Sequence, residues 1–245
     1  ESERILFMRY LIDTHTHTIA SGHAYNTIDE MTRKANSIGL ENLAITEHTP
    51  KMPGSCNMLY FTNLKILPER KYDVNRLFGC EANIVNLYGE VDMPDGLLRK
   101  MDIVIASFHI PCVKAGSVKE NTRALINAMK NPYIDIIGHP DDSRYAVDME
   151  MVVDAAKEYQ TLLELNNSSL KPNGPRQGAR ENDIKMLELC KKKDVCITIG
   201  SDAHIEEDIC NFGFAEELLE EVNFPDRLIV NKDIDLLNSY LHSYK

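Results

Sequence analysis

The chain contains no run of about 18 apolar residues and no charged-then-apolar leader closing on small residues. That leaves no membrane span and no secretion signal to read, and the expectation is a cytoplasmic protein. Its six cysteines (Cys56, Cys80, Cys112, Cys190, Cys196 and Cys210) are scattered, with no C-x-x-C pair. This spacing argues against a disulfide framework or a structural zinc knuckle, and predicts buried, reduced thiols. Positive charge is scarce: 27 Lys and Arg against 38 Asp and Glu give a formal net charge of −11. Nucleic-acid affinity comes mainly from cations meeting phosphates, so no nucleic-acid partner is expected. An anionic small substrate would need a local source of positive charge, which bound metal can supply. No Pro/Gly/Ser-rich linker, composition shift or low-complexity tract divides the 245 residues, so 8–245 read as a single domain. The stretch "ESERILF", residues 1–7, precedes Met8 and reads as an upstream extension.

What is present is a regular alternation. Apolar, β-branched runs recur at Leu11–Ile12, Asn42–Thr46, Leu77–Cys80, Ile103–Ala106, Ile134–Gly138, Thr161–Leu165 and Val195–Ile199. Segments of helical periodicity separate most of them. Thr27 with Glu30 reads as a capping box before Ile28, Met31, Ala35 and Ile38, with Gly39 as the stop. Asp148 can cap a helix bearing Val152, Ala155, Ala156 and Tyr159 on one face. Phe214, Leu218, Leu219 and Val222 repeat the pattern, and Ile234, Leu237 and Leu241 suggest a closing helix. Units of about 30 residues point to βαβ repeats and a parallel sheet, and seven strands suit an α/β barrel. Lys51 to Tyr72 reads as a long, irregular insertion after the second strand, of the kind that is often functional.

Seven of the eight histidines lie at or just past the carboxyl end of a predicted strand: His15, His17, His23, His48, His109, His139 and His204. His242 alone sits elsewhere, on the C-terminal helix, and reads as a solvated surface imidazole. Strand ends of a parallel barrel meet on one face, which carries the site. The seven imidazoles are therefore expected to converge with Glu81 and Asp202. Such convergence is costly unless divalent metal takes the lone pairs. Nine ligands exceed the four or so that one zinc takes, which implies two or three ions. Sites of that kind generate hydroxide near neutral pH and clamp the oxygens of a displacement at phosphorus.

The motifs "DTHTH", "SGHAY", "TEHTP", "EANI", "SFH", "GHP", "ELNNSS" and "GSDAH", in this order from Met8 to Tyr240, resemble the PHP (polymerase and histidinol phosphatase) superfamily, in particular its YcdX-like stand-alone phosphatases. The resemblance implies a distorted seven-stranded (β/α)7 barrel, TIM-barrel-like, and a trinuclear site of zinc, with manganese or iron as alternatives. One ion would be held by His15, His17, Glu81 and Asp202. A second would share Glu81 as a bridge and add His109 and His139, and a third would take His23, His48 and His204. The family usually has Asp where this chain has Glu47, which is expected to orient His48 through its other ring nitrogen. Asp13 has a similar reading.

The chemistry expected is hydrolysis of small phosphomonoesters by a metal-bridging hydroxide held at Glu81 and Asp202. Arg176 and Arg180 in "KPNGPRQGAR", or Lys65, Arg70 and Lys71 in the insertion, could add positive charge, although solvated surface charge is the plainer reading for all five. Arg176 is the one expected to open on the metal face, so that Arg176→Ala would raise KM for anionic substrates with fold and metal content unchanged. "NNSS", Asn166 to Ser169, offers hydrogen-bonding groups there, with a turn role as the plainer reading for Ser168 and Ser169. The competing readings are a histidinol-phosphate phosphatase, an amidohydrolase, a polymerase-type nuclease module and a non-catalytic metal-binding module. The amidohydrolase pattern wants a metal-bridging lysine and a histidine after strand six, where "ELNNSS" supplies none.

Overall fold

The computed structural model describes residues 10–244; the expected extension, residues 1–7, lies outside them. Seven parallel strands follow one another in chain order around a nearly closed barrel: β1 (Ile12–Asp13), β2 (Asn42–His48), β4 (Val74–Asn83), β5 (Val104–Ser107), β6 (Ile136–Ile137), β7 (Leu162–Asn166) and β8 (Ile197–Gly200). β3 (Arg70–Lys71) is an antiparallel addition paired with the start of β4. Each of the seven predicted strands is present. β2 is buried at every position, as a sheet covered on both faces requires.

The seam between β8 and β1 closes without a regular ladder. At its upper end Thr16 pairs with Ala203, and Asp202 N donates to His15 O at 3.0 Å. Lower down, buried Asn231 fills the gap. Its Nδ2 donates to Ile12 O (3.1 Å) and Ile199 O (2.8 Å), while its Oδ1 accepts from Ile199 N (2.7 Å).

Helices cover the barrel where the sequence places them. α1 (Ile28–Ser37) opens with the Thr27/Glu30 capping box, and α5 (Met149–Tyr159) starts on Asp148, whose Oδ1 accepts from Glu150 N and Met151 N. Between them lie α2 (Met58–Asn63), α3 (Asp95–Leu98) and α4 (Val118–Met129); α6 (Ala179–Lys193), α7 (Gly213–Glu221) and α8 (Ile234–Tyr240) follow. On α7 the predicted face shifts by one residue, because Ala215 is buried and Phe214 is 37% exposed.

Two expectations fail. The insertion 51–72 is not irregular: Asn57 caps α2, Phe61 and Leu64 enter the core, and β3 then descends to the amino-terminal end of the barrel. Arg70 and Lys71 therefore sit on the surface away from the strand carboxyl ends, Arg70 paired with Asp73 and Lys71 with Asp29, while Lys65 is exposed in the 3-10 turn after α2. His242 is not solvated either. It follows α8 in a 3-10 turn, its side chain is 6% exposed, and its Nδ1 donates to Asp135 Oδ2 at 2.9 Å. Helical periodicity cannot reveal a carboxylate that waits one strand away.

Candidate metal centre

The carboxyl end of the barrel gathers all nine of the predicted ligand residues. His15 and His17 leave β1 two residues apart, so the extended chain presents both rings to the same side. They are fully buried, with their Nε2 atoms 3.0 Å apart. Glu81 on β4 is the hub. Its Oε1 lies 2.9 Å from His139 Nε2 and 3.1 Å from His109 Nε2. Its Oε2 lies 2.8 Å from His48 Nδ1, 3.4 Å from His15 Nε2 and 3.6 Å from His17 Nε2. Asp202 faces the same space, with Oδ1 at 3.4 Å from His17 Nε2 and 3.7 Å from His15 Nε2. The rings of His23, His48, His204 and His17 stack beside it, with centroids 4.3 to 4.9 Å apart for neighbouring pairs.

Backbone geometry is spent here too. His139 (φ 31°) and Asp202 (φ 55°) both sit in the left-handed region that side-chain-bearing residues rarely adopt, a strain typical of functional sites. Two glycines make room for the carboxylate between them. A Cβ at Gly200 would collide with Glu164 Oε1 and His15 Cβ, and one at Gly138 would strike Ser107 Oγ.

Five of the seven rings have one nitrogen engaged at Nδ1. His15 Nδ1 donates to Glu164 Oε1 (2.6 Å), His109 Nδ1 to Asn83 Oδ1 (2.7 Å), His23 Nδ1 to Ser21 O (3.0 Å) and His204 Nδ1 to Asp202 O (2.9 Å). His17 Nδ1 meets Ser21 Oγ at 3.1 Å. This leaves each Nε2 lone pair for the shared space, the arrangement typical of metal-ligating histidine. His48 Nδ1, His109 Nε2 and Glu81 Oε2 are buried and lack hydrogen-bond partners, although they face one another. Orphaned donors and acceptors of this kind are costly unless something else takes them. Three clusters place one ligand atom per residue within 4.8 Å of each other: His15/His17/Asp202, His48/Glu81/His109 and His17/His48/His204. The donor set fits divalent metal. The last cluster differs from the family assignment by having His17 where His23 was expected; His23 is the more exposed ring, stacked outside it.

Protonation follows from the crowding. Burial, then repulsion from His48 and His204, pushes the His17 imidazolium well below its usual range, which keeps a neutral ligand. Burial opposes ionisation of Glu81 and Asp202, yet His109 and His15 hold Glu81 well below the carboxylate range, and His15, His17 and Arg176 do the same for Asp202. His15 alone goes up: burial disfavours its charge, but Glu164, Glu81 and Asp202 outweigh it. The site calls for positive charge at its centre.

Glu47 does not orient His48 as expected. Neighbouring strand residues point to opposite faces, and its carboxylate accepts from Thr18 N (3.1 Å), Ser21 Oγ (2.6 Å) and Tyr60 OH (3.3 Å). It acts on the site through Ser21, whose Oγ meets His17 Nδ1 and accepts from His48 N at 3.0 Å. Asp13 likewise holds backbone rather than a ring, accepting from His15 N, Ser201 N and Cys210 N. Of the loop cations, Arg176 is buried against Asp202 Oδ2 at 3.2 Å, while Arg180 pairs with Glu221 at the surface. Sequence reasoning missed Glu164, Asn83, and the buried pair Asp141 and Asp183 beside Arg176, whose carboxyls burial raises. A lone acid inside the apolar run "TLLELNN" was the available signal for Glu164.

A parallel α/β barrel with imidazoles and carboxylates converging at its strand carboxyl ends defines a hydrolase of the metal-dependent barrel class. The PHP domain matches residues 13–174, and the chain belongs to the PHP family. It is 47% identical over 236 residues to a "probable phosphatase" of Clostridium novyi, covering 96% of each chain, and 48% identical over 230 residues to one of Caldicellulosiruptor bescii, covering 94% of this chain and 95% of that one. Like these relatives, it is a phosphatase. The fold is shared with histidinol phosphate phosphatase of Lactococcus lactis, solved with zinc, L-histidinol and phosphate, at a TM-score of 0.65 and 18% identity, covering 89% of this chain and 95% of that one.

Proposed function

We propose that the protein hydrolyses small phosphomonoesters at a site for three divalent ions, zinc first, with manganese and iron as alternatives. His15, His17, Glu81 and Asp202 would hold one ion, Glu81 with His109 and His139 a second, and His23, His48 and His204 a third. The observation that carries this reading is the set of buried, unpartnered atoms, His48 Nδ1, His109 Nε2 and Glu81 Oε2, aimed into one space. Zinc and phosphate in the Lactococcus lactis relative support it. When bound, such ions supply Lewis acidity toward phosphoryl oxygens and a water of lowered pKa.

The chain's own residues do the rest. Glu164 fixes the His15 ring, Asn83 fixes His109, and the Glu47–Ser21 pair fixes His17. Arg176 Nη1 and Nη2 both donate to Asp202 Oδ2, so the guanidinium aims a candidate ligand as well as offering charge to a phosphate. Arg176→Ala is therefore expected to raise KM and also to loosen metal, rather than leave metal content unchanged. Residues 8–245 would form one catalytic domain working in a reducing, cytoplasmic compartment, a setting that suits six free cysteines. Among the described residues no helix is long and apolar enough to cross a membrane.

Phosphate release by the metal-replete protein across p-nitrophenyl phosphate, histidinol phosphate, sugar phosphates and nucleotides, with a chelated control, tests the reading. Turnover that vanishes with chelator supports it, and a sharp preference for histidinol phosphate would narrow it to that substrate. Silence across the panel with metals bound would sink it.

A further inference from the structure

We infer that the Lys171–Asp208 pair at the rim of this site selects phosphomonoesters carrying a second anionic group, an inference that rests on the phosphatase reading. Lys171 closes the 3-10 turn after β7, and Asp208 ends the 3-10 turn after β8. Two separate loops thus bring opposite charges together, with Nζ 2.8 Å from Oδ2. Both residues line a cavity of about 380 Å³ whose floor includes His48, Asp202 and His204. That volume lies at the small end for ligand sites, so the far end of a short phosphoester would meet this rim.

The pair does little for stability, because its side chains are 31% and 26% exposed and ion pairs so close to solvent contribute weakly. Its donors are what remain to be used. Arg176, the other cation on the cavity wall, is already committed: its Nη atoms donate to Asp202, Asn166 and Ser169. Lys171 carries three N–H donors and spends one on Asp208. Asp208 holds the ammonium in place while leaving two donors for an incoming carboxylate or phosphate. Metal charge in the floor would further favour a polyanion over a cation.

A matched series separates the possibilities: glycerol 3-phosphate as reference, 3-phosphoglycerate as the carboxylate arm, glycerol 1,3-bisphosphate as the phosphate arm, and 3-amino-2-hydroxypropyl phosphate as the cationic arm. The metal-replete protein should show kcat/KM about tenfold higher for one or both anionic arms than for the reference, the size of one charge-assisted hydrogen bond. Lys171→Met should bring that ratio to about one through KM. Asp208→Asn, whose amide oxygen can still accept from the ammonium but no longer repels an incoming anion, should raise the ratio about threefold, a direction that misfolding does not produce. A ratio near one in the unaltered protein, or one that Lys171→Met leaves in place, overturns the inference. So does a preference for the amine arm that Asp208→Asn abolishes, since Asp208 would then be the reader. No turnover of glycerol 3-phosphate or p-nitrophenyl phosphate at all overturns the phosphatase reading and this inference with it.

Discussion

Two buried histidine–carboxylate pairs stand at opposite ends of the same barrel. At the amino-terminal end Asp135, just before β6, accepts from His242 N (2.6 Å), His242 Nδ1 (2.9 Å) and Val104 N (2.8 Å). One acid serves one ring and two backbone amides, and it ties the C-terminal turn to two strands. At the carboxyl end Glu164 takes His15 Nδ1, but the other face of that ring looks onto His17, Glu81 and Asp202. The first pair leaves a single ring nitrogen, His242 Nε2, buried without a partner, whereas the second is the edge of a cluster of seven imidazoles and further carboxylates. A larger cavity of about 510 Å³ also lies at the amino-terminal end, lined by Asn42, Asn75, Arg76 and Asp102 among others, yet among the described residues no set of ligating side chains converges there. Convergence of such side chains marks the site; neither cavity size nor a His–acid contact does.

The sharpest way to break this contrast is Glu81→Gln. It keeps the shape but removes the charge that five imidazoles face. Removing one such electrostatic element from a reaction centre costs about 10²–10³-fold in kcat, and the larger figure is expected for a hub. Metal content by elemental analysis should fall in parallel. A variant that kept its metals and lost less than tenfold would show that Glu81 is not the bridge.

Glu164→Gln comes next. The amide can still take the His15 proton, but as a neutral acceptor, so the ring keeps its place and loses basicity. Losses of 10- to 100-fold in metal affinity or activity are typical when such a partner is altered. The pH profile gives the sign. Glu164 is the largest of the three charges that raise the His15 pKa, so the variant should hold metal to lower pH, because more acid is needed to protonate its ligand nitrogen. A profile that did not move would assign Glu164 to packing alone.

Glu164 also marks where the sequence stopped being informative. The seven barrel strands and the caps of α1 and α5 could be read from it, because periodicity and capping are local; β3 and the caps at Asn57, Ser117 and Asp233 were not read. The nine converging residues could be placed because parallel strands send their carboxyl ends to one face. The partners that aim those residues come from across the barrel: Glu164 is 149 positions from His15, and Asn83 is 26 from His109. No local pattern carries such a pairing. Glu47 shows the same limit from the other side. Being next to His48 in sequence put it on the opposite face of the strand, where it reaches the site only through Ser21.

The amino-terminal pair should behave differently under the same treatment. His242→Ala removes a ring that is 6% exposed and leaves part of the Asp135 carboxylate unpaired, a loss of about 1–3 kcal/mol in unfolding free energy. Chemical denaturation should report that shift, with kcat and metal content unaltered. If activity fell as well, the two ends of the barrel would be coupled, and the contrast drawn above would fail.

The smallest effect is expected four residues from one of the larger ones. Arg176 and Arg180 lie in the same stretch after β7, carry the same charge, and were equal candidates for a phosphate contact by type. The left-handed turn at Gly178 (φ 63°) separates them, and α6 begins at Ala179. Arg176 turns inward to Asp202; Arg180, already helical, turns outward to Glu221, with the two side chains 54% and 49% exposed. An ion pair in that setting is worth below about 1 kcal/mol, and high salt should erase most of it. Arg180→Ala should therefore leave KM within about twofold and move the unfolding midpoint by little more than measurement error. A KM rise as large as that of Arg176→Ala would mean that the loop rearranges to bring both guanidinium groups to the phosphate, and the division between an inward and an outward arginine would have to be given up.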